Sequence, residues 1–390
     1  MAFLDPNELL KQQKNEETTK LQLITPVIQT KWQSSDKIVM EYKYTAGRIS
    51  IDEYNVAHRG KEKKVDYLLL WKDNILLALV EAKGQDHSAD DGYSQAVDYA
   101  ADLDVPFAYA TNGIELIEKD MITGINRHMK LDDFPGPDDL WARYLHEKGL
   151  NSDVQAIIEY PYYQTIGGKK PRYYQRIAIN RTIEHIAKGN KRALLVMATG
   201  TGKTFTAFQI IYRFWKLRKA KKILFLADRN ILVDQTMRKD FAPFLSAMVK
   251  FDNDKIDTSK DVYLALYQQL KAKDTDYYKK FPRDFFDLIV IDAYGIIGLN
   301  SKDSINKGFS GISPILFSPQ KRLTVELRRC HAQIKDFSAK RPAAGMHSSI
   351  AGSIIPFCVL QRQSNELSSD VDLHRSSLWN QKDVSLACTA

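Results

Sequence analysis

The chain has 390 residues, of which 44% are hydrophobic and 27% charged, a composition typical of soluble globular proteins with two or three domains. Its formal net charge of +8 favours a polyanionic partner such as nucleic acid, because clustered lysines and arginines release counterions from phosphates. No apolar run approaches the roughly 18–20 residues that span a bilayer, and the beginning of the chain has no signal-peptide core. The three cysteines show neither metal-ligand nor disulfide spacing. The pattern argues against a membrane protein and a disulfide-rich secreted protein, and predicts a cytoplasmic one.

The first part of the chain combines short strands with two amphipathic helices. Apolar residues recur at helical spacing in the longer segments and alternate or run together in the shorter ones. The predicted order is helix 19–31, strands 48–54, 65–71 and 75–80, helix 89–103 and strand 105–110. A turn at 72–74 joins two of the strands into a hairpin. A polar connector with a Pro-Gly-Pro breaker at 135–137 then follows.

From Lys170 onward, helices and strands alternate over longer intervals. Helices are predicted at 173–187 and 204–216, and strands at 193–197, 222–226, 262–266 and 288–291. This alternation predicts a mostly parallel sheet with helices on both faces.

Residues 293–390 differ in composition from the rest. Residues 1–292 contain 8 serines, whereas the last 98 residues contain 15 serines and all three cysteines. No hydrophobic period of 2 or 3.6 persists there. Two explanations remain open, a flexible or divergent tail and a loss of the reading frame near Asp292.

Two carboxylates and a lysine are candidates for a metal-dependent site on the hairpin. Asp66 opens one predicted strand, and the next strand delivers Glu81-Ala82-Lys83. Alternation along a strand places Glu81 and Lys83 on one face, where they can converge with Asp66. Two carboxylates can bind Mg²⁺, which polarises a phosphate and activates a water molecule. Lys83 could position that water or stabilise the charge that develops on the phosphate.

Three neighbouring residues strengthen this interpretation. Gln95 and Tyr99 are four residues apart on the next predicted helix and therefore share a face. Glu16 lies at the head of the first helix, from which it could reach the metal. The alternative is that the charged residues are ordinary strand ends, with Gln95 solvated and Tyr99 half-buried.

Together these residues resemble the PD-(D/E)xK nuclease family, in the version with a Gln-x-x-x-Tyr helix, over residues 16–116. Val65 stands where the strict family pattern has proline. The residues implied to be catalytic are Asp66, Glu81, Lys83, Gln95 and Tyr99, and the candidate metal ligands are Glu16, Asp66 and Glu81.

A glycine-rich segment, Ala-Thr-Gly-Thr-Gly-Lys-Thr at 198–204, lies between a buried strand and a helix. Its glycines let backbone N–H groups turn towards phosphates, and the helix N-terminus adds a positive partial charge. Lys203 would reach the β- and γ-phosphates, and the Thr204 hydroxyl would bind Mg²⁺. The residues predicted to contact the nucleotide in this loop are Thr199, Gly200, Thr201, Gly202, Lys203 and Thr204.

This loop resembles that of superfamily 2 helicases and translocases, although Met197 stands where the strict loop pattern has glycine. Upstream, residues 172–175 (Arg-Tyr-Tyr-Gln) resemble the adenine-reading motif, in which Gln175 contacts the base. The alternative is a solvated glutamine on an amphipathic helix. Residues 226–235 and 267–268 resemble further motor motifs, which are expected to contact the DNA backbone. The basic run between 213 and 222 is interpreted as a solvated helix end.

Asp292 ends the last predicted strand, where the same resemblance implies that it binds the Mg²⁺ of the nucleotide. The family continues with a glutamate that orients the attacking water, but this chain continues with Ala293. No motif of a second motor lobe follows. We therefore expect nucleotide binding with little hydrolysis and no translocation.

A nuclease followed by a motor is the order of type I restriction motor subunits, which the chain resembles from Glu16 to Asp292. The resemblance implies an α/β protein with a PD-(D/E)xK nuclease domain at 1–150, a RecA-like parallel-sheet lobe at 151–292 and an anomalous tail at 293–390. It implies that ATP and Mg²⁺ support translocation and cleavage of double-stranded DNA. The implied partners are specificity and methyltransferase (modification) subunits, which would bind S-adenosylmethionine. Two alternatives remain, a standalone nuclease–helicase of DNA repair or phage defence, and an inactive truncated product that binds DNA and ATP.

Overall fold

A computed structural model describes residues 15–45, 49–51, 57–59, 61–198, 200–227, 240–251, 257–266, 281–282, 284–292 and 354–361. The chain divides into two compact units, residues 1–180 and 181–390. In these described ranges, no helix combines the length and the apolar character needed to cross a membrane.

The first unit is built on a mixed sheet with helices packed around it. Its strands are β1 (Ile38–Thr45), β2 (Ile49–Ile51), β3 (Ala57–Arg59), β4 (Glu62–Lys72), β5 (Ile75–Ala82), β6 (Phe107–Thr111), β7 (Glu115–Asp120) and β8 (Asn126–Lys130). Helix α1 runs through Glu16–Thr19, a π-helical turn Lys20–Ile24 and Thr25–Lys31. The later helices are α2 (Asp90–Leu103), α3 (Pro137–Lys148), α4 (Ser152–Glu159) and α5 (Tyr173–Ala187), the last of which crosses into the second unit.

The main sheet has the strand order β1-β4-β5-β6-β7-β8, and β2 pairs with β3 as a separate hairpin. Strands β4 and β5 are antiparallel neighbours joined by a tight turn, whereas β5 and β6 are parallel. Parallel neighbours need a crossover connection, and α2 supplies it. All eight residues of β5 are buried, and α2 packs Ala96, Ala100 and Leu103 into the same apolar core. The end of β5 and the start of β4 are therefore held rigidly beside α2.

A buried ion cluster ties α3 to the far edge of this sheet. Glu118 and Asp120 on β7 are fully buried, and Arg143 on α3 donates to Glu118 at 2.9 and 2.8 Å and to Asp120 at 3.1 Å. Arg127 on β8 also binds Glu118. Burial alone would raise the pKa of Glu118, but hydrogen bonds from Arg143 and Tyr109 outweigh it and lower the pKa below its ordinary value.

Arg143→Ala is expected to destabilise the first unit by about 3–5 kcal/mol at neutral pH, because it leaves two buried carboxylates without their main partner. Since the partnered Glu118 has a lowered pKa, its stabilisation is present above the unfolded pKa and is lost as the pH falls through the folded one. The penalty should therefore shrink in acid. Urea unfolding followed by tryptophan fluorescence measures it.

The control is Lys130→Ala, which removes an exposed positive charge from β8 and should shift the free energy of unfolding by less than about 0.5 kcal/mol. Equal destabilisation by both variants would contradict the assignment of the effect to the buried cluster.

The second unit contains a largely parallel sheet. Its strands are β9 (Arg192–Ala198), β10 (Ile223–Ala227), β11 (Met248–Lys250), β12 (Val262–Leu266), β13 (Leu288–Asp292) and β14 (Ile354–Gln361), in the order β11-β12-β10-β13-β14-β9. Strands β10 to β13 pair in parallel, and β14 from the tail pairs antiparallel with both β13 and β9. Helix α6 (Lys203–Lys216) follows β9.

The predicted α/β class and the largely parallel second sheet are confirmed. The helix predicted at 173–187 and the strand predicted at 262–266 have the bounds of α5 and β12. Of the strand predicted at 48–54, the described part is Ile49–Ile51. Residues 293–353 and 362–390 of the anomalous tail lie outside the described residues.

The prediction of a polar connector after residue 116 was wrong, because the segment contains β8, α3 and α4 and continues β7. Two features concealed these elements. The buried positions of β7 include carboxylates, which arginines from elsewhere in the fold neutralise. Pro137 is the first residue of α3, a position where its missing N–H costs nothing, so the proline begins a helix here.

Candidate functional site

The hairpin of β4 and β5 holds the two predicted carboxylates at its open end. Tyr67 pairs with Val80, and Asp66 and Glu81 each lie one residue beyond that pair. Asp66 is 5% exposed and Glu81 is 3% exposed. The backbone N–H of Ala82 donates to Asp66 Oδ2 at 2.8 Å, which fixes one carboxylate oxygen against the neighbouring strand.

A chain of polar contacts runs from Glu81 to helix α2. Lys83 Nζ donates to Glu81 Oε1 at 3.0 Å and to Gln95 Oε1 at 3.4 Å, and Gln95 Nε2 donates to the Tyr99 hydroxyl at 2.8 Å. Helix α2 can approach this closely because of Gly92, where an added Cβ would lie 3.3 Å from the side chains of both Glu81 and Lys83. The structure thus brings Glu81, Lys83, Gln95 and Tyr99 into one connected group.

Glu81 is the carboxylate of this group, and its pKa is raised. Burial and the charge of Asp66 raise the pKa of Glu81, Lys83 lowers it, and the net result is a pKa of about 7. Its second oxygen, Oε2, is buried and has no hydrogen-bond partner among the described residues. Lys83 pairs with the other oxygen, so Oε2 keeps its lone pairs available for a further ligand such as a cation.

Glu16 reaches the site through a residue that the sequence analysis missed. Lys20 is 5% exposed, and its ammonium lies 2.7 Å from Glu16 Oε1 and 2.7 Å from Asp66 Oδ1. Burial alone would lower its pKa, but the hydrogen bonds to Asp66 and Glu16 outweigh burial and raise the pKa. The four-residue spacing of Glu16 and Lys20 on a helix was the available signal. Such a pair on a helix is usually solvated, so the spacing alone does not predict the burial of Lys20.

The donor set fits a hard divalent cation by its chemistry. Asp66, Glu81 and Glu16 offer carboxylate oxygens, the ligands that Mg²⁺ prefers, and Glu81 Oε2 is buried without a partner. In the described part of the chain, however, no three His, Cys, Asp or Glu side chains form a ready-made metal cluster. The ammonium of Lys20 lies between Glu16 and Asp66.

The second unit presents the glycine-rich loop between β9 and α6. Gly200 and Gly202 have φ of +79° and +85°, a region that favours glycine, and the carbonyl of Gly202 accepts from the backbone N–H of Thr206 at 3.0 Å. Lys203 is the first residue of α6, followed by Thr204, and Thr201 precedes them in the loop. Thr199 lies outside the described residues.

Lys203 and Asp292 lie close enough for their charges to interact. Asp292 is the last residue of β13 and aligns with Ala227 on the neighbouring parallel strand. Burial lowers the pKa of the Lys203 ammonium, and the charge of Asp292 opposes that effect. A cation and a carboxylate are therefore placed near the start of a helix, the arrangement that binding a nucleotide with its Mg²⁺ needs.

The remaining predicted residues have mixed outcomes. Gln175 is 7% exposed and accepts from the backbone N–H of Arg172 at 2.9 Å, so the alternative of a solvated glutamine is wrong. Arg213, part of the basic run that was interpreted as a solvated helix end, is instead 1% exposed. Residues 228–235 and 267–268 lie outside the described residues.

Comparison with known proteins agrees with both halves of the chain. The family described as the N terminus of the type I restriction enzyme R protein matches residues 33–135, and the family described as the res subunit of type III restriction enzymes matches residues 168–294. The endonuclease subunit of the type I restriction enzyme EcoAI from Escherichia coli is 45% identical over 272 residues, which are 68% of this chain and 34% of that protein. The EcoKI endonuclease subunit from Escherichia coli (strain K12) is 30% identical over 206 residues, 48% of this chain and 17% of that protein.

Among solved structures, a fragment of an HsdR subunit of a type I restriction enzyme from Vibrio vulnificus YJ016 matches with a TM-score of 0.64 and 33% identity. The match covers 81% of this chain and 57% of that chain. The comparisons thus show a region similar to the N terminus of type I restriction R proteins ahead of a region similar to restriction res subunits. More specifically, the chain is homologous to the endonuclease (R) subunits of type I restriction enzymes, and it spans about a third or less of the two curated relatives.

Proposed function

We propose that this chain is the nuclease and nucleotide-binding part of the restriction subunit of a type I restriction–modification complex. The observation that carries the proposal is the buried hairpin site in which Asp66, Glu81 and Lys83 converge beside Gln95 and Tyr99. Homology to type I endonuclease subunits supports it. The domain limits proposed are 1–150 for the nuclease and 151–292 for the first motor lobe.

In the proposed cleavage reaction, Asp66 and Glu81 hold Mg²⁺, which would polarise the scissile phosphate and lower the pKa of a bound water. Glu16 supplies a further carboxylate at the edge of the site. Lys83 places an ammonium against Glu81, from which it can orient the attacking water or stabilise negative charge on the phosphate oxygens.

Gln95 and Tyr99 act as positioning residues in this proposal. Gln95 accepts from Lys83 and donates to the Tyr99 hydroxyl, so the amide fixes the direction of the lysine side chain. Tyr99 is 9% exposed, and it joins this polar chain to the apolar core of α2. A cleavage geometry held by packed side chains is preorganised before DNA arrives.

The proposed role of the second unit is to bind ATP. The backbone of Gly200, Thr201 and Gly202, together with Thr199, would cradle the phosphates. Lys203 would reach the terminal phosphates, and Thr204 and Asp292 would hold Mg²⁺. The proximity of Lys203 and Asp292 supports this assignment.

The test of the proposed function is partner dependence. The purified chain is expected to co-elute with the methyltransferase and specificity subunits of a type I complex, and to cut double-stranded DNA with Mg²⁺ only in their presence. Cleavage without partners, combined with no co-elution, would favour a standalone nuclease–helicase of repair or phage defence. Co-elution without cleavage would favour an inactive truncated product.

A further inference from the structure

Lys20 is a buried cation inside a group of four carboxylates. Its Nζ lies 2.7 Å from both Asp66 and Glu16, 3.5 Å from Glu17 and 3.9 Å from Glu41. Lysine is seldom so deeply buried, and it is found there when its charge is partnered. An acidic group of this kind would not identify a site alone. Here a second observation stands beside it: Glu81, next to Asp66 on the paired strand, has an Oε2 that is buried and has no hydrogen-bond partner among the described residues.

Two departures from regular backbone geometry occur in this group, one at Lys20 and one at Glu41. The π-helical turn of α1 begins at Lys20 itself, and π-helical turns recur at functional sites because they redirect single side chains. Opposite Asp66, the β1–β4 ladder has no pair at Glu41, whose φ is +57°. A non-glycine residue with positive φ inside a strand is strained, and such irregularities are enriched beside active sites.

The Lys20 ammonium lies beside the same carboxylate oxygens that a divalent cation would bind. Asp66 Oδ2 accepts from the backbone N–H of Ala82, and Oδ1 faces the Lys20 ammonium, so each oxygen has one partner and a further lone pair. Lys20 Nζ lies on that Oδ1 and also on Glu16 Oε1. A divalent cation bound to Asp66 and Glu16 would lie close to the Lys20 ammonium, and the Coulomb repulsion between the two cations favours expulsion of the ammonium.

We propose that Lys20 is an internal counter-cation that competes with the divalent metal for Asp66 and Glu16 and leaves the site when the metal binds. This inference rests on the proposed nuclease function. The displaced ammonium has acceptors within reach, because Glu17 and Glu41 have side chains 80% and 46% exposed and lie on the outer side of the group. The exchange lowers the affinity for metal, because the divalent cation must compete with the ammonium for the same carboxylates.

The first test measures Mn²⁺ binding to the full chain without nucleotide by electron paramagnetic resonance, counting only the binding that Asp66→Asn removes. Lys20→Met keeps the length of the side chain and removes its charge, so Mn²⁺ should bind about tenfold more tightly, the scale expected for losing one charge-assisted hydrogen bond. The matched control is Lys64→Met, which removes the exposed cation paired with Glu41 and should leave the affinity unchanged.

The outcomes separate the two proposals. Unchanged or weaker Mn²⁺ binding by Lys20→Met overturns the counter-cation role while leaving the metal site intact. No binding sensitive to Asp66→Asn in any variant overturns the proposed nuclease site itself.

The second test needs no substitution and stays decisive if Lys20→Met fails to fold. Reductive methylation of the wild-type chain is followed at each lysine by peptide mass spectrometry. Labelling of Lys20 should be slow without metal and several-fold faster with Mg²⁺, whereas labelling of the exposed Lys43 should not change. Equal labelling of Lys20 with and without Mg²⁺, at concentrations that support cleavage, would overturn the exchange.

Discussion

Replacement of Glu81 by glutamine is expected to abolish DNA cleavage and to leave nucleotide binding unchanged. The amide keeps the shape of the side chain but removes the negative charge from an oxygen that is buried and has no partner among the described residues. Lys83→Ala should have the same effect, because it removes the ammonium 3.0 Å from Glu81. Groups that stabilise charge in a transition state are worth about 10²–10³ in rate, so cleavage should fall by at least that factor.

The measurement is plasmid cleavage with Mg²⁺ by the complex assembled with its partner subunits, beside titration with a fluorescent ATP analogue. The matched control is Glu62→Gln, which removes an exposed carboxylate from the start of the same strand, β4, and should cut normally. Cleavage retained by Glu81→Gln would refute the assigned role. Equal loss of cleavage and of nucleotide binding would indicate misfolding instead.

The purified chain should bind ATP with Mg²⁺ and yet hydrolyse it at least about 10²-fold more slowly than a complete motor, the scale of losing one residue that orients a nucleophile. The residues that would hold the nucleotide, Lys203 and Asp292, lie close enough to interact. The next residue is Ala293, which has no carboxylate with which to orient water. Phosphate release with and without duplex DNA measures the effect.

Lys203→Ala is the companion variant, since it should lose binding as well as the residual turnover. A normal DNA-stimulated rate of ATP hydrolysis by the unaltered chain would contradict the prediction.

The last 98 residues bear on the same question. The helicase-type family match ends at residue 294, next to the point where serine content rises. The described part of this segment, β14, runs antiparallel between β13 and β9, and Pro356 stands opposite Val196 in that ladder. Proline cannot donate a ladder hydrogen bond and is uncommon in central strands. We propose that the frame is lost after Asp292. Sequencing the encoding DNA and finding another frame that continues with glutamate would support this, and a single open frame would exclude it.

Local sequence determined the elements and the class of the protein. Hydrophobic period alone predicted α5 and β12 to the residue, since a 3.6-residue or continuous apolar pattern records which face is buried. The spacing of Asp66, Glu81 and Lys83, and the residues of the glycine-rich loop, were likewise readable along the chain. Each of these signals is local, because it depends on a strand end or a loop of a few residues.

Only the tertiary structure decided which charged side chains are buried and which residues are their ion-pair partners. Glu118 and Asp120 look solvated in sequence, yet Arg143, more than twenty residues away, pairs with them in the interior. Lys20 resembles an ordinary helix-surface cation until β4 places Asp66 2.7 Å from its ammonium. Both arrangements depend on Coulomb attraction in a low-dielectric interior between residues that are distant in the chain. Hydrophobic periodicity does not show which distant residues lie close together in the folded protein.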